Sequence, residues 1–200
     1  MPKQVDHEAR RREIAQALLR IASTRGLEGA SLRDIASEAR VSLGQLQHYF
    51  KSKDELIAFA LRRINELADQ RIRGRIEAIG ASDPSPRTVL RECLRGMMAL
   101  DEESRTGYLV GVAYFIRAVH DISQRHLAQE GIASLRAFFA DQLSRARDAG
   151  EVPGDCDPEA AAMHLICLVE GLNSYIVVDV HTPQQAVALL DRHLDGLFTR

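Results

Sequence analysis

The sequence has no tryptophan, and aromatic residues make up only 5% of its 200 positions. No aromatic cage of the kind that holds a quaternary ammonium can be placed from so few rings. Its three cysteines, Cys93, Cys156 and Cys167, are odd in number and widely spaced. That excludes a disulfide framework and suits reduced, cytoplasmic thiols. No stretch is expected to reach the apolar length of a membrane span, and no charged-then-apolar leader opens the chain. Phosphate loops and dinucleotide fingerprints are absent, as is any Ser, His and Asp set around a nucleophile elbow. His164 and Cys167 could share one helix face, but two ligands do not make a structural zinc site. A core histidine and a core cysteine are expected there instead. There is no convincing strand run, repeat or low-complexity segment. Catalysis, a metal and a cofactor are therefore not expected.

What is present centres on Ser31 to Lys53, SLRDIASEARVSLGQLQHYFKSK. Ser31, Ser42 and Ser52 each stand three residues before Asp34, Gln45 and Glu55, the spacing of a capping box. Val41 and Leu46 fall where a hydrophobic staple would sit. Leu32, Ile35, Ala36 and Ala39 give one short helix an apolar face, and Leu46 and Phe50 give the next one another. Arg40-Val41-Ser42 forms the turn between them. Two short helices at a steep angle, the second with polar residues outward, make a helix-turn-helix. Gln45 and Gln47 can pair with adenine in the major groove. Gly44 allows close backbone approach, and tyrosine, lysine and hydroxyl groups suit phosphate oxygens. Charge agrees: residues 1–53 hold 10 Lys/Arg against 6 Asp/Glu, and the remainder 16 against 22. A basic head on an acidic body suits phosphate binding at one end. Arg10, Arg11 and Arg12 could form an arm toward a phosphate or minor groove.

The ordered set Gly29-Ala30-Ser31, Ile35-Ala36, Val41-Ser42-x-Gly44, His48-Tyr49-Phe50 and Lys53-x-x-Leu56 resembles the signature of the TetR family of regulators. The match covers about residues 10–60. Arg40 stands where that family usually has Gly, Gln47 where Tyr is common, and Ser31 where Thr is frequent. The first bears on the turn, since Gly there often serves a left-handed backbone. The second implies a different base preference. The resemblance implies DNA contacts at Ser31, Ser42, Gly44, Gln45, Gln47, His48, Tyr49 and Lys53. Gln47-His48-Tyr49-Phe50 and DPEAAAMHLICLVEGL are closest to the choline-responsive BetI-like subgroup. Choline is not inferred from that likeness.

Around this stretch the pattern is helical throughout. Ile14, Ala17, Leu18 and Ile21 predict a first helix ending near Gly26. Leu56 to Ile79 carry a stripe to Gly80, a helix of about 28 residues and roughly 40 Å. Ser85-Pro86 opens the next, read from Val89 to Leu100. Asp101-Glu102-Glu103 opens one through Val119, and another runs from Ser123 to Ala149 and stops at Gly150. Asp157-Pro158 caps a segment, Ala160 to Val180, apolar almost all round and so expected to be buried on several sides. Thr182-Pro183-x-Gln185 caps the last, with Val187, Leu190, His193, Leu194 and Leu197 on one face. The expected fold is all-α. A three-helix helix-turn-helix DNA-binding domain spans residues 1–53, and a helical ligand-binding and dimerisation domain spans 54–200.

Met97, Met98, Tyr108, Tyr114, Phe115, Phe138 and Asn173 lie on helices that must pack together, and glycines at 96, 107, 111 and 171 lower the bulk around them. Taken singly, each is more simply a core residue. With the resemblance, they suggest a small-molecule site. The expectation is a ligand-responsive repressor in the cytoplasm, bound as a homodimer to a palindromic double-stranded operator and released by a small molecule. The alternative is an all-helical ligand-binding or scaffold protein that no longer reads DNA, supported by Arg40 and Gln47.

Overall fold

The computed structural model describes residues 7–26, 30–78 and 84–198, apart from the side chains of Arg25 and Ser123. Gly29 of the signature, and Ile79 and Gly80 at the expected end of the long helix, lie outside that range. Nine helices and no strand occur among the described residues: α1 (His7–Arg25), α2 (Leu32–Glu38), α3 (Leu43–Tyr49), α4 (Lys53–Ala78), α5 (Pro86–Gly96), α6 (Glu102–His120), α7 (Ile122–Asp148), α8 (Pro158–Val177) and α9 (Pro183–Leu197).

Caps set most of the boundaries. Ser31 with Asp34, Asp101 with Ser104 and Thr182 with Gln185 form reciprocal capping boxes. Asp157 accepts from the N–H groups of Glu159 and Ala160, ahead of Pro158. Ser52 Oγ accepts from Glu55 N–H, but Glu55 reaches back to the N–H of Lys51 rather than of Ser52. Gly150, at φ 71, takes the left-handed conformation just past α7.

Two helix ends differ from the sequence reading. α5 stops at Gly96 instead of continuing to Leu100. The Met97–Ala99 turn is instead bonded to a side chain, with the Ala99 N–H donating to Asn173 Oδ1 at 2.8 Å. Asn173 Nδ2 donates to Met97 O at 2.9 Å. α8 stops at Val177 instead of Val180: Asp179 has φ 58, and Val180 N–H returns to Tyr175 O.

Two apolar cores organise the molecule. The head core joins Ile14, Leu18 and Ile21 of α1, Ile35 of α2, Leu46 and Phe50 of α3, and Leu56, Ile57 and Ala60 of α4, with Val110 of α6. The body core joins Leu90 and Leu94 of α5, Phe139 and Leu143 of α7, Leu165, Val169 and Leu172 of α8, and Leu190 and Leu194 of α9. The buried residues of α4 lie only between Leu56 and Ala60. Beyond them it approaches α6 and α5 closely, since a Cβ on Gly107 would meet Ile64 at 3.0 Å and one on Gly96 would collide with the Ile72 side chain. These two glycines therefore serve helix packing. Gly171 has open space around it.

By length and composition α8 is apolar enough to cross a membrane, contrary to the expectation that no stretch is. Its buried face, from Ala162 to Ile176, belongs to the body core and carries Asn173. Its outward face carries His164 and Cys167, both exposed, so the core positions expected for them are not observed.

Candidate nucleic-acid interface

α3 has seven residues, and its orientation follows from two anchors. Leu46 and Phe50 are fully buried, so the opposite side of the helix must face solvent. Gly44, Gln45, Gln47 and His48 are exposed there, and Tyr49 is partly so. The start of α3 is set by Ser42, whose hydroxyl accepts from Gln45 N–H at 3.1 Å. Ser31 and Ser42, each exposed at a helix N-terminus, place hydroxyls beside the first turns of α2 and α3. Lys53, half-buried, begins α4 immediately beyond. All eight positions expected to touch DNA thus sit on α3, at the N-cap of α2 or α3, or at the first residue of α4, with Gly44 beside open space.

Arg40 resolves the question raised by its missing glycine. It adopts φ 56, the left-handed conformation, and Val41 N–H closes the turn onto Ala36 O at 2.9 Å. The turn is made with a non-glycine residue at a cost of about 1–2 kcal/mol. Val41 packs against the head core with Leu46. The reader also carries an aromatic group absent from the sequence reading: the His7 ring at the start of α1 lies 4.7 Å from Tyr49 and 6.2 Å from His48.

The three arginines of the expected arm lie within α1 and do not act alike, with Arg12 exposed there. Arg10 pairs with Glu13 one turn on. The Arg11 side chain is only 20% exposed and turns inward to Glu55.

The seven expected ligand residues are not gathered into one cluster, and Met98 is buried in the body core. Met97 and Tyr108 pack against the body core, but Tyr114 packs against the head core and donates its hydroxyl to Gln124 O at 3.2 Å. Phe115 and Phe138 are exposed, at 58% and 43%. Asn173 is 1% exposed and has its amide engaged with the Met97–Ala99 turn. Tyr108 and Ser174 share a hydroxyl hydrogen bond at 2.9 Å, tying α6 to α8. A cleft of about 550 Å³ lies elsewhere, between α1 and α2, and is polar, with Glu13, Arg20, Asp34, Glu38 and Arg40 on its walls. The apolar face of α6, with Leu109, Val112, Phe115, Ile116 and Val119 all exposed, escaped the sequence reading. Its helical spacing in the sequence is the signal that could have found it.

Residues 14–59 match the family described as bacterial regulatory proteins, tetR family. Residues 86–199 match the BetI-type transcriptional repressor, C-terminal family. The HTH-type transcriptional regulator PksA of Bacillus subtilis (strain 168) is 35% identical over 179 residues, covering 90% of this chain and 84% of that protein. The crystal structure of a transcriptional regulator from Rhodococcus sp. RHA1 superposes with a TM-score of 0.77 at 27% identity, over 94% of this chain and 95% of that one. AibR, solved with isovaleryl coenzyme A and operator DNA, superposes with a TM-score of 0.67 at 21% identity, over 94% and 98% of the two chains, and shares the fold. With a helix-turn-helix head and a carboxyl-terminal body of the BetI type, this chain belongs to the TetR family of transcriptional regulators.

Proposed function

We propose that the protein is a ligand-responsive transcriptional repressor that binds a palindromic operator as a homodimer and leaves it when a small molecule occupies the body. The observation that carries this reading is the outward side of α3. Leu46 and Phe50 anchor it from beneath, and Gly44, Gln45, Gln47 and His48 stand in solvent on a short helix that a major groove admits. In this reading Gln45 and Gln47 address base edges. Ser31, Ser42, His48, Tyr49 and Lys53 address backbone phosphates, and Gly44 lets the helix approach closely. Residues 1–53 would act as the reading head and 54–200 as the ligand-binding and dimerisation body, with the first turns of α4 packed into the head core.

Regulators of this family bind operator DNA as dimers and take small-molecule effectors. For this chain the outward faces of α8 and α9 supply a two-fold surface. Met163, Tyr175, Val178 and Leu189 are exposed and apolar, and Gly171 leaves room for a close crossing. The effector would enter the body near Met97 and Tyr108. Acting on DNA, the protein would work in the cytoplasm as a regulator and not as an enzyme. A gel shift with the intergenic DNA upstream of its own gene tests the reading. Retarded migration competed poorly by random duplex is expected, and migration unchanged at micromolar protein would refute it.

A further inference from the structure

Arg11 lies where three elements of the head meet. Its guanidinium carbon is 4.6 Å from the ring centroid of Phe50 and 4.6 Å from that of Phe59. The two rings are 5.4 Å apart at 64°, edge to face. Phe50 is the C-cap of α3, and its N–H closes the last turn of that helix onto Leu46 O at 2.9 Å. Phe59 is on α4. Arg11 Nη2 also donates to Glu55 Oε1 at 3.3 Å, while Glu55 Oε2 accepts from Lys51 N–H at 2.9 Å. One cation from α1 thus touches the residue that ends the reading helix and the α4 carboxylate that holds the residue after it. Phe59 also has the Arg62 guanidinium carbon 6.0 Å from its ring centroid.

We propose that Arg11 is a positioning residue for DNA reading: its flat guanidinium, set against Phe50, Phe59 and Glu55, fixes the angle of α3 to α4. The inference rests on the DNA-reading role proposed above. Geometry separates it from a phosphate contact, because the side chain is 20% exposed and directed into the head. It also separates it from a plain core residue. Arg11 Nε is buried without a hydrogen-bond partner, a cost that an apolar side chain of similar length would avoid. What such a side chain lacks is a plane that meets ring faces and a carboxylate at once. Methionine can fill the space without setting the angle, and lysine can restore the charge without the plane.

The test compares Arg11→Met and Arg11→Lys with the parent chain. Thermal melting is measured, with binding to the upstream intergenic duplex and to a random duplex across a salt series, and backbone hydrogen exchange in the absence of DNA. For Arg11→Met we expect melting within a few degrees of the parent, about tenfold weaker binding to both duplexes, an unchanged salt slope and about tenfold faster exchange at the Phe50 and Lys51 amides. Arg11→Lys should fall between. A salt slope reduced by about one would make Arg11 a phosphate contact and overturn the proposal. Unchanged affinity of the folded variant, with only the melting temperature lowered, would reduce Arg11 to a stabilising residue and overturn it too. So would full recovery in Arg11→Lys, since charge alone would then suffice. If the parent chain binds neither duplex, the DNA reading fails separately, and exchange at Phe50 and Lys51 still decides: faster exchange supports the clamp, unchanged exchange overturns it.

Discussion

Asn173 is the one strongly polar side chain on the buried face of α8, and both ends of its amide are engaged with the turn that follows α5. Replacing it with leucine would bury Met97 O and Ala99 N–H without partners, each costing about 1–3 kcal/mol. Urea unfolding of Asn173→Leu should show a stability loss of about 2–4 kcal/mol, whereas a residue serving only a ligand would leave the unfolding midpoint where it was. Gln47 is an informative residue of another kind, exposed on the reading side with nothing inside the protein to hold. Gln47→Ala should relax preference at one base pair by about 1–3 kcal/mol in a binding-site selection. Tyr49→Ala and Lys53→Ala should weaken binding to all sequences alike. Cys93 and Cys167 differ as thiols. Burial pushes Cys93 up to about 11, so little thiolate exists at neutral pH, while Cys167 is exposed. In the monomer iodoacetamide should therefore modify Cys167 before Cys93, as peptide mass mapping would show, and pairing of α8 in the proposed dimer should slow that reaction.

At the scale of helices, the body is closed by the pairing of α5 with α9. Arg91 donates to both carboxylate oxygens of Asp191, at 2.7 and 2.8 Å, and Arg87 pairs with Asp195 one turn further on. The Arg91 hydrogen bond holds the Asp191 carboxyl below the usual carboxylate range. A group depressed in the folded state contributes its full stability above its unfolded value, near 3.9, and loses it as pH falls through the folded one. With both partners about a third exposed, the pair is worth about 1 kcal/mol. Asp191→Asn should lower stability by that amount at pH 7. The difference from the parent chain should shrink below about pH 4, measured by urea titration at each pH. α4 spans its 26 residues over about 39 Å, with its buried residues only at the head end. Toward its far end, Arg75 pairs with Glu92 of α5, and Ile72 lies against Gly96. Arg117 near the end of α6 pairs with Asp54 in the first turn of α4. Movement of α5 or α6 would therefore be felt at the reader.

For the whole molecule, every exposed large apolar residue among the described residues lies between Leu109 and Leu189. The head carries none, so association should use the body. Pairing of α8 and α9 with their two-fold copies would be isologous, placing two readers on half-sites one turn apart, roughly 34–36 Å. Light scattering at micromolar concentration should give a dimer mass, and Leu189→Asp should shift it toward the monomer together with a loss of operator affinity. Effector and operator should also be reciprocal: if the effector weakens operator binding by some factor, operator weakens effector binding by the same one. Calorimetric titration of an effector with and without operator should show that difference, and equal affinities would mean that α4 transmits nothing.

The caps and periodicities were enough to determine the helical class, the order of the elements and the outward side of α3. Each depends on residues within one or two turns: Ser42 on Gln45, Leu46 on Phe50, Thr182 on Gln185. Even so, helix ends that depend on distant partners were misread. Nothing near Met97 tells that α5 must stop so that its chain can reach Asn173, 76 residues away. Arg11 looked like part of a solvated basic arm because its ring partners, Phe50 and Phe59, arrive only when α1 folds across α3 and α4. Tyr114 and Phe115 are neighbours in sequence, yet one packs on the head core and the other faces solvent, since consecutive residues of a helix lie about 100° apart. Local spacing decided which segments are helices. Which face of each helix is covered, and by what, was decided by contacts between residues far apart in the chain.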